Sequence, residues 1–229
     1  MCSVAWTESS AGCEIRFNRD EQWTRPPSLD PKKETAHPVT GLCARDPLGG
    51  GTWLFANECG SVAAVMNAYP IAHPTVKAGS ASRGELPLFA SLHRTAGEIA
   101  AAAERHDWTV YHPCHLLIWG GGELRLYSWD GSSLEHRYEE SRGFLTTSSF
   151  RPRQVMAARM ARYEILKERD LSTILDDQIA EVPAEAIYMS RDDAGTVSQS
   201  HVLIDATTVS LTVRRRGGER LTVSCPRRA

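Results

Sequence analysis

Four side chains in the first third of this chain have the chemistry needed to hydrolyse an amide: a thiol, a guanidinium, a carboxylate and a carboxamide. They belong to Cys2, Arg19, Asp20 and Asn67. If Met1 is removed, Cys2 carries both a thiol nucleophile and a free α-amino group. That amine has an ordinary pKa of about 8, so it can act as a base near neutral pH. The alternative is that Cys2 is an ordinary small hydrophobic residue at the start of a strand.

The sequence around Cys2 alternates as it does in two paired β-strands. Two short apolar runs flank a small polar segment, 9–12, which suits a hairpin loop. Pairing apolar residues with each other sets Trp6 against Ile15 and therefore places Cys2 across from Arg19. Cross-strand partners have Cβ atoms about 5 Å apart. We therefore expect the guanidinium to stabilise the thiolate form of Cys2.

Asp20, Asn67 and Trp53 would complete such a site. Asp20 can orient the N-terminal amine if the strand ends at Arg19 and the backbone turns there. Asn67 ends a predicted strand, and its amide could donate to an oxyanion, a contribution of roughly 3 to 4 kcal/mol when well placed. A turn asparagine is the alternative. Trp53 and the proline-rich segment 23–47, for which we predict no regular element, could shape a pocket for an acyl group.

The rest of the chain predicts strands and helices in separate groups, joined by hairpins. Further predicted strands are 52–57, 62–67, 116–119, 124–129, 134–138, 145–148, 186–189, 202–205, 209–213 and 220–224. Predicted helices are 95–106, a helix that begins at Pro152, and 171–180. This order, without β-α-β alternation, predicts an α+β sandwich of antiparallel sheets. The arginines of the second helix, Arg159 among them, are expected on its solvent-exposed face.

Composition limits the classes of partner. A chain of 229 residues is long enough for one domain with a substantial core, and its net charge of -2 gives no reason to expect nucleic acid. The absence of a long apolar run predicts no membrane span and a cytoplasmic protein. His112-Pro113-Cys114-His115 gathers three potential metal ligands, but a turn before a strand is favoured over a zinc site. We therefore predict no bound metal.

These residues resemble a known family. Met1-Cys2 followed by Asn18-Arg19-Asp20-Glu21 is similar to the opening of the NRDE family, also called the Transport and Golgi organisation protein 2 family. Further matches, in the order of the family, are Arg25-Pro26, Gly50-Gly51-Thr52-Trp53-Leu54, Gly60, Asn67 and Arg83-Gly84-Glu85-Leu86. The resemblance covers roughly the first 90 residues, which is far more specific than a four-letter motif.

The resemblance implies a four-layer αββα fold similar to that of N-terminal-nucleophile hydrolases. It implies hydrolysis of a small acyl or amide substrate with no required cofactor, and it adds Asn18 and Arg214 as substrate-binding candidates; an exposed edge residue is the alternative for Arg214. Where relatives often carry an asparagine in the middle of the chain, this chain has Ser148, so a retained fold with altered activity is an alternative. The rival function is haem or acyl-CoA and lipid trafficking through the same pocket, with His112, His115 or His201 as possible haem ligands.

Overall fold

The computed structural model describes residues 1–9, 12–36, 38–69 and 81–228. Within these ranges, two antiparallel sheets carry the fold. The first sheet contains, in spatial order, β10 (Arg142–Thr147), β1 (Cys2–Ser9), β2 (Gly12–Gln22), β11 (Ala194–Ile204), β12 (Thr208–Arg215) and β13 (Arg220–Pro226). The second contains β3 (Lys32–Ala36), β4 (Val39–Cys43), β5 (Leu54–Asn57), β6 (Val62–Asn67), β7 (Cys114–Gly120), β8 (Glu123–Trp129) and β9 (Leu134–Glu139).

Helices cover the outer face of each sheet. They are α1 (Leu86–Phe89), α2 (Ala96–Arg105), α3 (Pro152–Leu166) and α4 (Leu171–Leu175). The first two pack on the second sheet, and the last two pack on the first. The predicted α+β class and the αββα layering are therefore confirmed. No helix in the described ranges is long and apolar enough to cross a bilayer.

The main core lies between the sheets and fixes the register of β1 and β2. Val4 pairs with Phe17, and both side chains are buried between the sheets. The same register places Cys2 opposite Arg19, as the alternation of apolar residues predicts. Residues 10–11 of the predicted hairpin loop lie outside the described residues. The pleat sends the alternate side chains of both strands, including Asp20, toward the helices.

The segment 23–47 differs from the prediction, because it contains β3 and β4. These strands form a hairpin at the edge of the second sheet and bond through β4 to β5. Their stability comes from this backbone pairing and from one buried side, since Leu42 is inaccessible while Lys32 and Lys33 are exposed. A charged edge strand lacks the apolar alternation on which sequence reasoning depends.

The predicted strand 186–189 is also wrong. Ile187 and Met189 are fully buried, but their carbonyl groups accept one hydrogen bond from a side chain and one from the backbone of β11, and the segment forms no strand ladder. Ile187 O accepts from Asn18 Nδ2 at 3.0 Å, and Met189 O accepts from Thr196 N at 2.9 Å. A buried apolar run without a strand partner looks the same in sequence as a strand.

The buried face of α3 was predicted wrongly as well. It follows Val155, Arg159 and Tyr163 at a spacing of four residues. Arg159, expected on the solvent-exposed face, is fully buried, whereas Ile165 is 72% exposed. The reason is that α3 packs over polar side chains of the first sheet, which require a polar partner.

Candidate active site

A cavity of about 320 Å³ opens where β1 begins and β6 ends. We call it the N-terminal cavity; its lining includes Cys2, Arg19, Glu21, Arg25, Asp46, Trp53, Asn67, Arg83 and His112. Cys2, Arg19, Trp53 and Asn67, which sequence reasoning selected, therefore share one cavity. Three other predicted residues, Asn18, Asp20 and Arg214, do not line it.

Arg19 is paired with acidic residues rather than with the thiol. Its Nη2 lies 3.0 Å from Asp46 Oδ2 and 3.5 Å from Glu21 Oε1, and its guanidinium lies 4.9 Å from the ring centre of Trp53. Burial raises the pKa of the Cys2 thiol, and the nearby N-terminal charge offsets this only in part. These carboxylates compensate the charge of Arg19, and its effect on the acidity of the Cys2 thiol stays a prediction.

Arg25 joins the same group of charges. It donates to Asp46 Oδ2 and lies 3.8 Å from Glu21 Oε1. Burial alone would raise the pKa of the Asp46 carboxyl, but hydrogen bonds from Arg25 and from Leu48 N lower it overall. Two guanidinium groups and two carboxylates thus form a compact, charge-balanced wall of the N-terminal cavity.

The N-terminal amine, a phenol and an amide are joined by hydrogen bonds beside the cavity. Met1 N donates to Asp20 O at 3.4 Å and to Tyr69 Oη at 3.5 Å. Asn67 Nδ2 donates to the same hydroxyl at 3.3 Å. Burial lowers the pKa of this amine, but the charges of Cys2, Tyr69 and Asp20 outweigh burial and raise it. Asn67 is therefore connected through one hydroxyl to the amine end of the chain.

Asp20 does not place its carboxylate at the amine. Strand β2 continues to Gln22, so the side chain turns toward the helices. Its Oδ1 accepts from Thr196 Oγ1 at 2.7 Å, and its Oδ2 lies 3.3 Å from Arg159 Nη1. Its backbone N nevertheless donates to Met1 O at 3.2 Å. Asp20 thus holds the start of the chain through its backbone and is itself held by buried side chains.

Arg159 is a residue that sequence reasoning missed at this site. Its Nη1 also donates to Ser3 Oγ at 3.1 Å and Thr146 Oγ1 at 3.2 Å, and its Nη2 donates to Ala184 O at 3.0 Å. One guanidinium therefore ties β1, β2 and β10 together beneath Cys2. Its position in the sequence could have indicated this. Arg159 lies four residues after Val155 and four residues before Tyr163, and both of these side chains pack inward.

Asn18 and Arg214 lie instead at a second cavity of about 440 Å³. Asn18 Nδ2 donates to Leu175 O at 2.7 Å, and Gln199 Nε2 donates to Asn18 Oδ1 at 2.9 Å. Arg214 Nε donates to Gln199 Oε1 at 2.6 Å. These bonds fasten the end of α4 to the first sheet, on the face away from the N-terminal cavity.

The histidine and cysteine cluster at 112–115 is divided between two environments. His112 lines the N-terminal cavity, whereas burial raises the pKa of Cys114 to about 12. His115 Nδ1 lies 2.9 Å from Ser128 Oγ, and burial lowers the pKa of His115 to about 4. Among the described residues, no group of three or more His, Cys, Asp or Glu side chains is arranged to hold a metal ion.

Two glycine-containing segments that resemble the family, 50–54 and 83–86, contact each other at the cavity. Thr52 N donates to Gly84 O at 2.9 Å. A Cβ on Gly51 would lie 2.5 Å from the backbone carbon of Gly84, so only glycine allows this approach. The contact places Arg83 on the cavity wall, where its Nη1 donates to Pro113 O at 3.0 Å. Sequence reasoning noted these matches but gave Arg83 no role.

The sequence profile of Transport and Golgi organisation 2 matches residues 1–119, just over half of the chain. The chain belongs to the Transport and Golgi organisation 2 family. The matched part of this family member carries every residue of the N-terminal cavity named above. No curated protein is similar enough in sequence to be matched.

Solved structures with a similar fold include an acid amidase and a bile acid hydrolase. A Caenorhabditis elegans ortholog of N-acylethanolamine-hydrolyzing acid amidase has a TM-score of 0.59 at 13% identity, over 89% of this chain and 92% of that one. An Arg-to-Leu variant of conjugated bile acid hydrolase from Clostridium perfringens gives 0.66 at 10% identity, over 100% and 97%. A Cys-to-Ala variant of the same enzyme gives 0.62 at 10% identity and the same coverage. These likenesses show that the Transport and Golgi organisation 2 family member has an N-terminal-nucleophile hydrolase-like fold.

Proposed function

We propose that this protein is a cysteine N-terminal-nucleophile amidohydrolase that cleaves a non-peptide C–N bond of a small acylated substrate. The observation that carries the proposal is the shared cavity of Cys2 and Asn67, in which the amine end of the chain also lies. The fold supports it, since the similar solved structures are named as an acid amidase and a bile acid hydrolase. A nucleophile, a base and an amide donor are the minimum set for acyl transfer.

In the chain that carries Met1, burial raises the pKa of the Cys2 thiol. A base beside the thiol would therefore assist the reaction. Arg19 cannot serve, because a guanidinium does not lose its proton in proteins. Removal of Met1 supplies the base, since it frees the α-amine of Cys2.

The reaction then follows in two steps. The Cys2 amine takes the thiol proton as sulfur attacks the carbonyl carbon, and Asn67 Nδ2 donates to the oxyanion. The C–N bond breaks, the departing nitrogen takes the proton, and a thioester remains on Cys2. Water, deprotonated by the same amine, then cleaves the thioester and releases the acid. Asp20 acts only by positioning, because its carboxylate lies on the helical side of the sheet.

Turnover and N-terminal processing test this proposal together. Mass spectrometry should show that the purified protein lacks Met1, and the wild type should hydrolyse N-acyl amides. Cys2→Ala should abolish hydrolysis while leaving the fold intact. Cys59→Ala is the matched control, since Cys59 is the other partly buried cysteine and does not line the cavity. Full activity of Cys2→Ala, or activity in protein that retains Met1, would contradict the proposed mechanism.

Haem binding is the second candidate, and the observation that favours it is the position of His112 on the same cavity. In that case the protein would be a haem or acyl-CoA carrier, and Cys2 would be a ligand or a bystander. Haem titration should then give a stoichiometric Soret shift that survives Cys2→Ala and is lost in His112→Ala. For either function we propose a cytoplasmic location, which the six free cysteines support.

A further inference from the structure

The charges that line the N-terminal cavity do not cancel. Arg19 and Arg25 are matched by Glu21 and Asp46, at separations of 4 Å or less. A third guanidinium, that of Arg83, faces the same cavity. The described residues provide it with no carboxylate at ion-pair distance. The cavity therefore has an excess positive charge at Arg83, in addition to the N-terminal amine.

Arg83 is also held in place before any ligand binds. Ser82 Oγ accepts from Gly84 N at 3.3 Å, and Gly84 O accepts from Thr52 N at 2.9 Å, so the backbone on its C-terminal side is fixed. The guanidinium itself donates to Pro113 O. An arginine has five N–H donors, and this bond uses one of them. Within the described part of the chain the other donors make no hydrogen bond, so they can bind water or an anion.

We infer that Arg83 forms an anion subsite of the N-terminal cavity, which binds a carboxylate carried by the amide substrate. The inference rests on the proposed function and narrows its substrate class to N-acyl amino acids. A guanidinium matches a carboxylate in a planar, two-point geometry, and the partly buried setting strengthens that pair. The paired Arg19 and Arg25 cannot provide such a subsite, since their donors already face Asp46 and Glu21.

The subsite has a chemical consequence for selectivity. A neutral amide leaves Arg83 without a counter-charge, whereas the carboxylate of an N-acyl amino acid supplies one. Hydrogen bonds to charged groups contribute about 1.5 to 3 kcal/mol, which corresponds to about tenfold or more in affinity. The carboxylate form of a substrate should therefore bind at least about tenfold more tightly than its neutral isostere.

Binding to a catalytically silent protein tests the subsite independently of turnover. Cys2→Ala protein is titrated calorimetrically with N-octanoylglycine and with N-octanoylglycinamide, which differ only in the carboxylate. We expect N-octanoylglycine to bind at least about tenfold more tightly, the preference to vanish with Arg83→Gln, and Arg83→Lys to retain part of it. Arg105→Gln, an exposed change on α2, is the matched control and should keep the full preference.

The outcomes separate the subsite from the hydrolase proposal. Equal binding of the two compounds, no binding of either, or a preference that survives Arg83→Gln would overturn the subsite. None of these results concerns Cys2 chemistry, which is decided by comparing the turnover of N-acyl amides by the wild type and by Cys2→Ala. Conversely, a carboxylate preference that depends on Arg83 would stand even if Cys2 proved to be inactive.

Discussion

Replacing Arg159 by methionine should destabilise the protein by about 3 to 5 kcal/mol, because the change leaves a carboxylate buried without its charged partner. Arg159 Nη1 lies 3.3 Å from Asp20 Oδ2, and both side chains are inaccessible to solvent. The guanidinium also donates to Ser3, Thr146 and Ala184. After the substitution, Asp20 keeps one hydrogen-bonded hydroxyl, which cannot compensate a buried negative charge.

Urea denaturation measures the loss directly, and thermal unfolding provides a second reading. For a chain of this size, 1 kcal/mol corresponds to roughly 2 to 4 °C, so Tm should fall by roughly 6 to 20 °C. Arg153→Met is the matched control, since Arg153 is an exposed arginine of the same helix, and it should change stability by less than about 0.5 kcal/mol.

A double variant tests the assigned cause. Asp20→Asn combined with Arg159→Met removes both charges, so it should be more stable than Arg159→Met alone. Equal stability of Arg159→Met and Arg153→Met would refute the reasoning. So would a double variant whose loss is the sum of the two single losses, because that result would show that the two charges do not interact.

Three further changes have outcomes that follow from the structure. Gly51→Ala should cost about 1 to 3 kcal/mol, measured by urea denaturation, since its Cβ would overlap the backbone of Gly84. Glu14→Gln should flatten the acid side of the stability profile. His201, whose Nε2 lies 3.0 Å from Glu14 Oε1, and the hydrogen bond from Arg16 Nε lower the pKa of Glu14 from 4.5 to about 2, so the wild type loses this contribution as pH falls through that window. In protein that retains Met1, iodoacetamide should modify Cys2 slowly at neutral pH and faster above pH 9, because burial raises the thiol pKa above 9.0.

Each of these predictions has an internal reference. Gly97→Ala places its Cβ in ordinary contact 3.9 Å from Thr95 Oγ1 within α2, so it should stabilise slightly or leave stability unchanged. If Gly51→Ala changed stability no more than Gly97→Ala does, the close approach of Gly51 to Gly84 would not explain the need for glycine at this position. If the stability of Glu14→Gln falls with decreasing pH as steeply as that of the wild type, the Glu14 carboxylate does not contribute to the pH dependence. For alkylation, the reference is Cys2 in the urea-unfolded protein, and equal rates in the folded and unfolded protein at neutral pH would contradict the burial argument.

The hairpin at the N-terminus could be predicted because the residues that determine its pairing lie close together in the sequence. Alternation of apolar residues in β1 and β2 sets one register, and a slip by one residue would bury charged side chains. The position of Cys2 opposite Arg19 follows from that register alone. What does not follow is the partner of Arg19, since Asp46 reaches it from a distant loop.

The errors share a physical origin, which is that polar residues can be buried by partners far away in sequence. In the sequence Arg159 resembles a solvated helix residue, because its partners Asp20 and Ala184 are distant along the chain. Asn18 resembles a ligand-binding amide but caps the carbonyl groups of Leu175 and Ile187. Hydrophobic periodicity predicts which faces pack, but it does not identify polar contacts between layers.

The central claim is that Cys2 is an N-terminal nucleophile, and trapping of its acyl intermediate tests it most directly. Wild-type protein is mixed with p-nitrophenyl octanoate, quenched in acid during turnover, and analysed by peptide mass spectrometry. We predict one octanoyl group on Cys2, in an N-terminal peptide that lacks Met1. An octanoyl group found only on other residues, or a reactive protein that still carries Met1, would contradict the claim.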